Sequence, residues 1–347
     1  MRLGIIGQVG AGRQTIFETL TGITVSPGDR NDDQIGTIGV PDDRIDYLSH
    51  LYQPKKTTHA QVEYLLPGFK MASDSGQKEA DPSGGWTRIR NCDALILVLR
   101  NFTLYGMDDL VPDREFSATD QEMILADLLV VEKRLERLTQ DKKRGKKTNP
   151  EEYGLLLRCK TALENETPLR REPELAAAPA LRGFAFLSAK PLLVLLNNPD
   201  PDPEMPDLPE AVTRETCTCI RGQLERELAQ MDTEEAELFF KEYEIENTAA
   251  DRVIRHSYQV LGLISFFTVG EDEVRAWTIK KDTVAVEAAS AIHSDIQKGF
   301  IRAEVLAYND LTAVGSFKEA RKKGTVRLEG KTYPVQDGDI VHFRFNV

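Results

Sequence analysis

Apolar and polar positions alternate differently in successive parts of this chain, and the changes of period predict its elements. Leu3, Ile5 and Ile6 form a short apolar run that stops at Gly7. Ile16, Phe17 and Leu20 then recur at helical spacing. This predicts a buried strand that leads through a glycine-rich turn into a helix. Residues 61–66, 94–99 and 191–196 read as further strands. The last two, Ala-Leu-Ile-Leu-Val-Leu and Pro-Leu-Leu-Val-Leu-Leu, are of the unbroken apolar type that lies buried on both faces of a parallel sheet. Such strands alternating with helical stretches predict an α/β fold with a mainly parallel sheet. Residues 119–140 switch to a helical period, with Ile124, Leu128, Val131, Leu135 and Leu138 apolar and charges between them. Residues 151–165 repeat that character beyond a polar, basic turn over 141–150. An antiparallel helical hairpin is therefore expected as an insertion in the α/β domain. Residues 198–209, rich in Pro and Asp, read as a loop. Further on, residues 274–279, 301–305, 324–328 and 340–345 read as short strands and 285–292 as a helix, the pattern of a small β-grasp module. The expected domains are 1–118 with 185–270, the hairpin 119–184, and the module 271–347.

Composition narrows the class. A hydrophobic fraction of 41% is ordinary for a globular chain, and 347 residues leave room for two or three domains. No run of about 18 apolar residues predicts a membrane span, and no apolar leader precedes the first strand. A cytoplasmic protein with no membrane partner is expected. Cys92, Cys159, Cys217 and Cys219 have neither the pattern of a disulfide framework nor the paired spacing of a metal site. A net charge of −12 excludes a generally basic nucleic-acid coat. The charge is uneven, however. From residue 273 onward 12 Lys and Arg outnumber 10 Asp and Glu, and basic clusters stand at 142–147 and 321–323. These are either solvated loop charges or contacts to an RNA-rich partner.

The main chemical signal lies at the start, in Gly7-Gln8-Val9-Gly10-Ala11-Gly12-Arg13-Gln14-Thr15. Gly7 and Gly12 keep the spacing of a phosphate-binding loop, G-x-x-x-x-G-K-[ST], set between a strand and a helix. Such a loop points successive N–H groups at one anion, and the helix adds its N-terminal partial charge. Neither effect needs the last two side chains of the motif, which are replaced here. Arg13 keeps the positive charge of the lysine in a bulkier, planar fork. Gln14 presents an amide oxygen where a hydroxyl would ligate Mg²⁺. The hydroxyl of Thr15 lies about 100° further round the helix. Gly7, Gly10, Gly12, Arg13, Gln14 and Thr15 are the candidate phosphate-binding residues. The alternative is a strand-to-helix turn with no ligand.

Several blocks further along resemble the YchF family, the Obg-like ATPases within the translation-factor class of P-loop NTPases. They are Glu273-Val274-Arg275-Ala276-Trp277-Thr278, Ala291-Ile292-His293-Ser294-Asp295, Lys298-Gly299-Phe300-Ile301-Arg302-Ala303-Glu304-Val305 and Val335-Gln336-Asp337-Gly338-Asp339-Ile340. Arg252-Val253-Ile254-Arg255 and residues 261–268 resemble the segment before them, and residues 119–138 and 151–170 resemble the family's helical hairpin. The resemblance runs over nearly the full length. It implies a nucleotide-binding domain, a coiled-coil-like hairpin and a TGS domain. It also implies ATP binding, slow hydrolysis and association with ribosomes.

Carried over residue by residue, the resemblance is uneven. Gly7, Gly12 and Thr15 match the family's phosphate loop. Thr37, in Gly36-Thr37-Ile38-Gly39-Val40-Pro41, matches its switch I threonine, whose hydroxyl contributes to a metal shell. The D-x-A-G motif, whose Asp supports Mg²⁺ through water, reads Leu65-Leu66-Pro67-Gly68 here. The glycine stays and the carboxylate is gone. Residues 73–86 resemble a switch II segment without its motif. The family's histidine-bearing loop falls near 101–113, where no histidine occurs. Strand 191–196 runs into Asn197-Asn198-Pro199-Asp200. Asn197 fits both the guanine pattern N-K-x-D and the adenine-favouring N-x-x-E of the family. Asp200 fits the guanine pattern, because a carboxylate accepts from guanine N1 and N2 hydrogens and cannot donate to adenine. The Lys of that pattern is Asn198. A third base-contacting loop, near 219–223, carries no signature.

The sequence therefore predicts a monomeric purine-nucleotide-binding protein, with ATP or GTP as cofactor and Mg²⁺ dependence open. Thr37, Asn197 and Asp200 join the phosphate-loop residues as its binding site, with no catalytic or metal-ligating residue assigned. Hydrolysis is expected to be weak or absent, and contact with the ribosome or RNA is expected through the TGS domain and the hairpin. Two alternatives stand beside this reading. One is a slow ATPase or GTPase in which Arg13 acts for lysine. The other is a nucleotide-free scaffold that binds a ribosomal or protein partner.

Overall fold

The computed structural model describes residues 1–68, 82–103, 111–229, 231, 239 and 248–346. The chain begins with β1 (Arg2–Ile6), α1 (Arg13–Thr21), β2 (Gln34–Gly39), α2 (Asp43–Tyr52), β3 (Lys56–Thr58), β4 (Gln61–Leu66), α3 (Pro82–Ile89) and β5 (Ala94–Arg100). It continues through α4 (Pro112–Lys143), α5 (Pro150–Glu164), α6 (Pro173–Ala177), β6 (Leu192–Asn197), α7 (Glu210–Thr213), β7 (Thr216–Ile220), α8 (Gly222–Leu228) and α9 (Ala249–Val260). The last part holds β8 (Leu263–Val269), β9 (Glu273–Lys280), α10 (Ala285–Ile292), α11 (Ser294–Lys298), β10 (Phe300–Ala307), α12 (Tyr308–Val314), α13 (Phe317–Lys323), β11 (Arg327–Glu329) and β12 (Asp339–Phe345). Two compact units divide the chain: residues 1–36 with 63–253, and 37–62 with 254–347.

In the first unit the sheet has the order β2-β4-β1-β5-β6-β7, and β1 pairs in parallel with both β4 and β5. β5, β6 and β7 continue the parallel ladder. Every residue of β5 and β6 is buried, as their unbroken apolar sequences predict. Leu95, Leu97 and Leu99 of β5 join Val194 and Leu196 of β6 in one core, to which α4 adds Phe116 and Met123. In a parallel ladder all strands end at the same edge. The loops after β1, β4, β5 and β6 are therefore gathered there, the usual place for a ligand in such sheets.

The inserted hairpin is α4 and α5. α4 has 32 residues, about 48 Å of helix. It starts before the expected residue 119, because Pro112 opens it with Asp113 and Glu115 in the first turn. Asn149 caps α5 by accepting from the Glu151 N–H at 3.0 Å. Val131, Leu135 and Leu138 pack with Leu156, Cys159 and Leu163. Arg134–Glu152 and Lys160–Glu132 ion pairs link the two helices. Asp127, fully buried in the middle of α4, anchors the hairpin to the turn before β6. It accepts from Leu187 N at 3.0 Å, from Ser188 N at 2.7 Å and from Ser188 Oγ at 2.8 Å, and Arg90 lies 3.1 Å away. Burial pushes its carboxyl above the usual range, against the pull of these donors.

In the second unit the sheet order is β11-β10-β12-β8-β9-β3. β8 and β9 form an antiparallel pair from Leu263↔Lys280 to Val269↔Val274, and β12 lies parallel to β8. The expected boundary at 271 falls between β8 and β9, inside this sheet. Ala285, Ala288 and Ala289 of α10 cover Phe266, Val305, Val341 and Phe343. The predicted strand 324–328 is shorter. Gly324 takes φ 74° and closes α13, so β11 begins only at Arg327. Arg321 and Arg344 both bind the buried Glu304; burial raises its pKa, and these two partners more than reverse the shift. Cys92 and Cys159 are buried thiols, each pushed up to about 11 by burial. Among the described residues no helix is long and apolar enough to cross a membrane.

Asp127→Ala removes the acceptor of a guanidinium and of two backbone N–H groups at once. A loss of about 3–5 kcal/mol in stability is expected. Urea denaturation measures it, and a loss below about 1 kcal/mol would contradict the anchoring role.

Candidate functional site

The loop between β1 and α1 is built from glycines in conformations that side chains rarely take. Gly7, Gly10 and Gly12 have φ of 144°, 86° and 91°. Two of them are also constrained by space. A Cβ on Gly7 would lie 2.4 Å from the Val98 carbonyl oxygen, and one on Gly12 would lie 2.3 Å from Nδ2 of Asn197. α1 then starts with no side-chain cap and no acidic residue in its first turn. Its N-terminal partial charge is thus uncompensated by its own sequence.

This loop forms one wall of a cavity of about 780 Å³, a size suited to a nucleotide. Gly10, Gly12, Arg13, Gln14 and Thr15 line it, and so do Asn197 and Asp200 from the end of β6. Gly7 supports the loop without lining the cavity. Thr37 is exposed on β2 and is not among the lining residues.

The side chains have distinct surroundings. Arg13 is half-buried; burial lowers its pKa, yet a guanidinium stays charged at neutral pH. Gln14 turns its amide inward, donating from Nε2 to Glu18 Oε1 at 2.8 Å and to the Val25 carbonyl at 3.3 Å. Glu18 is buried, and also accepts from Val25 N at 3.0 Å and from Arg226 at 3.4 Å. Asn197 is buried with a backbone partner at each end of its amide. Nδ2 donates to the Ala11 carbonyl at 3.0 Å, and Oδ1 accepts from Gly222 N at 3.0 Å. Asn198, also buried, accepts from Asn101 and donates to the carbonyls of Asp202 and Glu204, so it shapes its own loop. Asp200 is exposed, and Oδ1 accepts from Leu224 N at 3.2 Å.

The family resemblance implies Mg²⁺, and the residues at the implied positions do not fit it. Leu65 stands where the D-x-A-G carboxylate would be and packs into the core with Ile6, Leu95 and Leu97. Gln14 stands where the hydroxyl would be, tied to Glu18. Among the described residues no group of three or more His, Cys, Asp or Glu is placed to hold a metal ion. The switch II-like segment 73–86 and the 101–113 loop fall largely outside the described residues, which omit 69–81 and 104–110.

Sequence reasoning missed part of the lining. Arg30 and Asp32 contribute from before β2 and Gln34 from its first position, Phe102 and Thr103 from after β5, and Gln223 from α8. None belongs to a motif. Their common signal is topological, since each follows or precedes an element whose end reaches the same edge of the sheet. Gln223 lies in the stretch 219–223 that carried no signature.

The comparisons with known proteins agree along the whole chain. Residues 263–346 match the YchF-GTPase_C family model, described as a protein of unknown function (DUF933). The match begins where β8 begins. The ribosome-binding ATPase YchF of Bacillus subtilis is 36% identical over 365 residues, covering 99% of both chains. Its namesake from Pasteurella multocida is 33% identical over 369 residues, covering 100% of this chain and 99% of its own. The Schizosaccharomyces pombe YchF GTPase structure superposes with a TM-score of 0.81 at 26% identity, over 99% of this chain and 97% of that one. With its parallel sheet, helical hairpin, phosphate loop and β-grasp module, this chain belongs to the YchF family.

Proposed function

We propose that this protein binds a purine nucleotide, ATP or GTP, hydrolyses it weakly or not at all, and associates with the ribosome as a cytoplasmic monomer. The observation that carries the reading is the contrast within one site. The glycine cradle and the helix N-terminus that attract phosphate are built, while Leu65 and Gln14 offer no hold on Mg²⁺. Phosphoryl transfer depends on neutralising charge as it develops, and the metal usually supplies that neutralisation.

In this reading Gly10, Gly12 and Arg13 hold the phosphates. Thr15, next to them, lines the same end. Gln14 contributes its backbone, since its side chain serves Glu18. Asn197 keeps the phosphate loop and the start of α8 in register, and Asp200 faces the base with Gln223 beside it. Association with the ribosome rests on the names of the relatives. The basic clusters give it candidate contacts. Arg321 is committed to the buried Glu304, whereas Lys322 pairs with the partly exposed Glu319, so Lys322 and Lys323 are the cations of that cluster to test.

Saturating nucleotide should raise the thermal unfolding temperature; at 100 times Kd the stabilisation is about 2.7 kcal/mol. Arg13→Ala should shrink that shift, and an unchanged shift would contradict the role of Arg13. Phosphate release with Mg²⁺ should stay at background, and sustained turnover would contradict the loss of hydrolysis. Lys142→Glu with Lys143→Glu, or Lys322→Glu with Lys323→Glu, should weaken ribosome co-sedimentation and flatten its salt dependence. If both pairs leave it unmoved, these surfaces are not the contact.

A further inference from the structure

Beside the phosphate cavity one carboxylate already occupies a set of anion-binding donors. Asp33 Oδ1 accepts from the Gly68 N–H at 2.9 Å and from Arg88 at 2.6 Å, and the same Arg88 nitrogen reaches the Gly68 carbonyl at 3.3 Å. The backbones of the two segments touch. A Cβ on Gly68 would lie 2.2 Å from the Asn31 carbonyl oxygen and 2.7 Å from the carbonyl carbon of Asp32. The contact borders the cavity on both sides: Leu66 and Pro67 precede Gly68, Asp32 and Gln34 flank Asp33, and all four line the cavity.

A backbone N–H and a guanidinium converging on one oxygen is the donor pair that a phosphate oxygen takes. We propose that Asp33 is a built-in competitor for the terminal phosphate of a nucleoside triphosphate, holding the Gly68 amide and Arg88 until that phosphate displaces it. This rests on the nucleotide-binding reading and adds to it a discrimination between triphosphate and diphosphate. The magnitudes suit displacement. The Asp33–Arg88 pair is partly open to solvent, with side-chain exposures of 37% and 26%, and pairs of that kind are weak. A terminal phosphate carries more charge than a carboxylate and offers three oxygens. A diphosphate, one group shorter, leaves Asp33 in place.

The substitution Asp33→Asn keeps the shape and removes the charge. Its test is calorimetric titration of the full chain and the variant with ATP, ADP, GTP and GDP. Asp29→Asn, the same charge change on a nearby carboxylate that does not accept from Gly68 or Arg88, controls for the general field. The expected result is triphosphate binding tightened about three- to tenfold, diphosphate binding within about twofold of the parent, and neither moved by Asp29→Asn. Equal tightening of tri- and diphosphate, or an unchanged ratio, overturns the competition while leaving nucleotide binding intact. If neither the parent nor the variant binds any of the four, the nucleotide reading falls and this inference falls with it.

Discussion

The bridge made by Asn197 organises this site. It stands at the end of a fully buried strand, donates to the Ala11 carbonyl in the phosphate loop and accepts from the Gly222 N–H at the start of α8. It therefore ties three segments that are far apart in sequence. The bridge also explains two glycines. A Cβ at Gly12 would lie 2.3 Å from Nδ2, and one at Gly222 would lie 2.7 Å from Oδ1. One buried amide thus sets the shape of the loop and the entry to α8, where Leu224, two residues further on, donates to Asp200.

What that framework holds divides along physical lines. Anion attraction in this fold comes from backbone N–H groups and helix ends, which survive when side chains change. Metal binding and base discrimination come from side chains at single positions, which do not. Gln14 illustrates the divide. Its backbone keeps its place in the first turn of α1, while its amide joins an internal network with Glu18 and Arg226 that packs α1 against α8. Leu65 illustrates it again, as an apolar side chain absorbed by the core. A site altered in this way keeps a binding function more readily than a catalytic one.

The strongly periodic parts of the fold were legible in the sequence. β5 and β6 are buried along their whole lengths, and the apolar run of each says so. The hairpin's seam follows the spacing of Val131, Leu135 and Leu138. Helix ends were less legible, because they depend on single residues: Pro112 extends α4 and Gly324 cuts back β11. The place of β8 was less legible, because it joins its sheet only through pairing with β9 and β12, and pairing leaves no local mark. In the site, the phosphate loop was legible because its glycines are required at fixed spacing. Arg30, Asp32, Phe102 and Gln223 were not, since only the gathering of separate loops at one edge of the sheet brings them together. The bridging of Asn197 could not be read either; its motif suggested a base contact, and its geometry adds a backbone partner at each end.

The most direct test of the central claim is calorimetric titration of the nucleotide-stripped protein with ATP and with GTP, each with and without Mg²⁺. One or both nucleotides should bind, with an affinity that Mg²⁺ leaves unchanged. Binding that requires Mg²⁺, or no binding to either nucleotide, would contradict it.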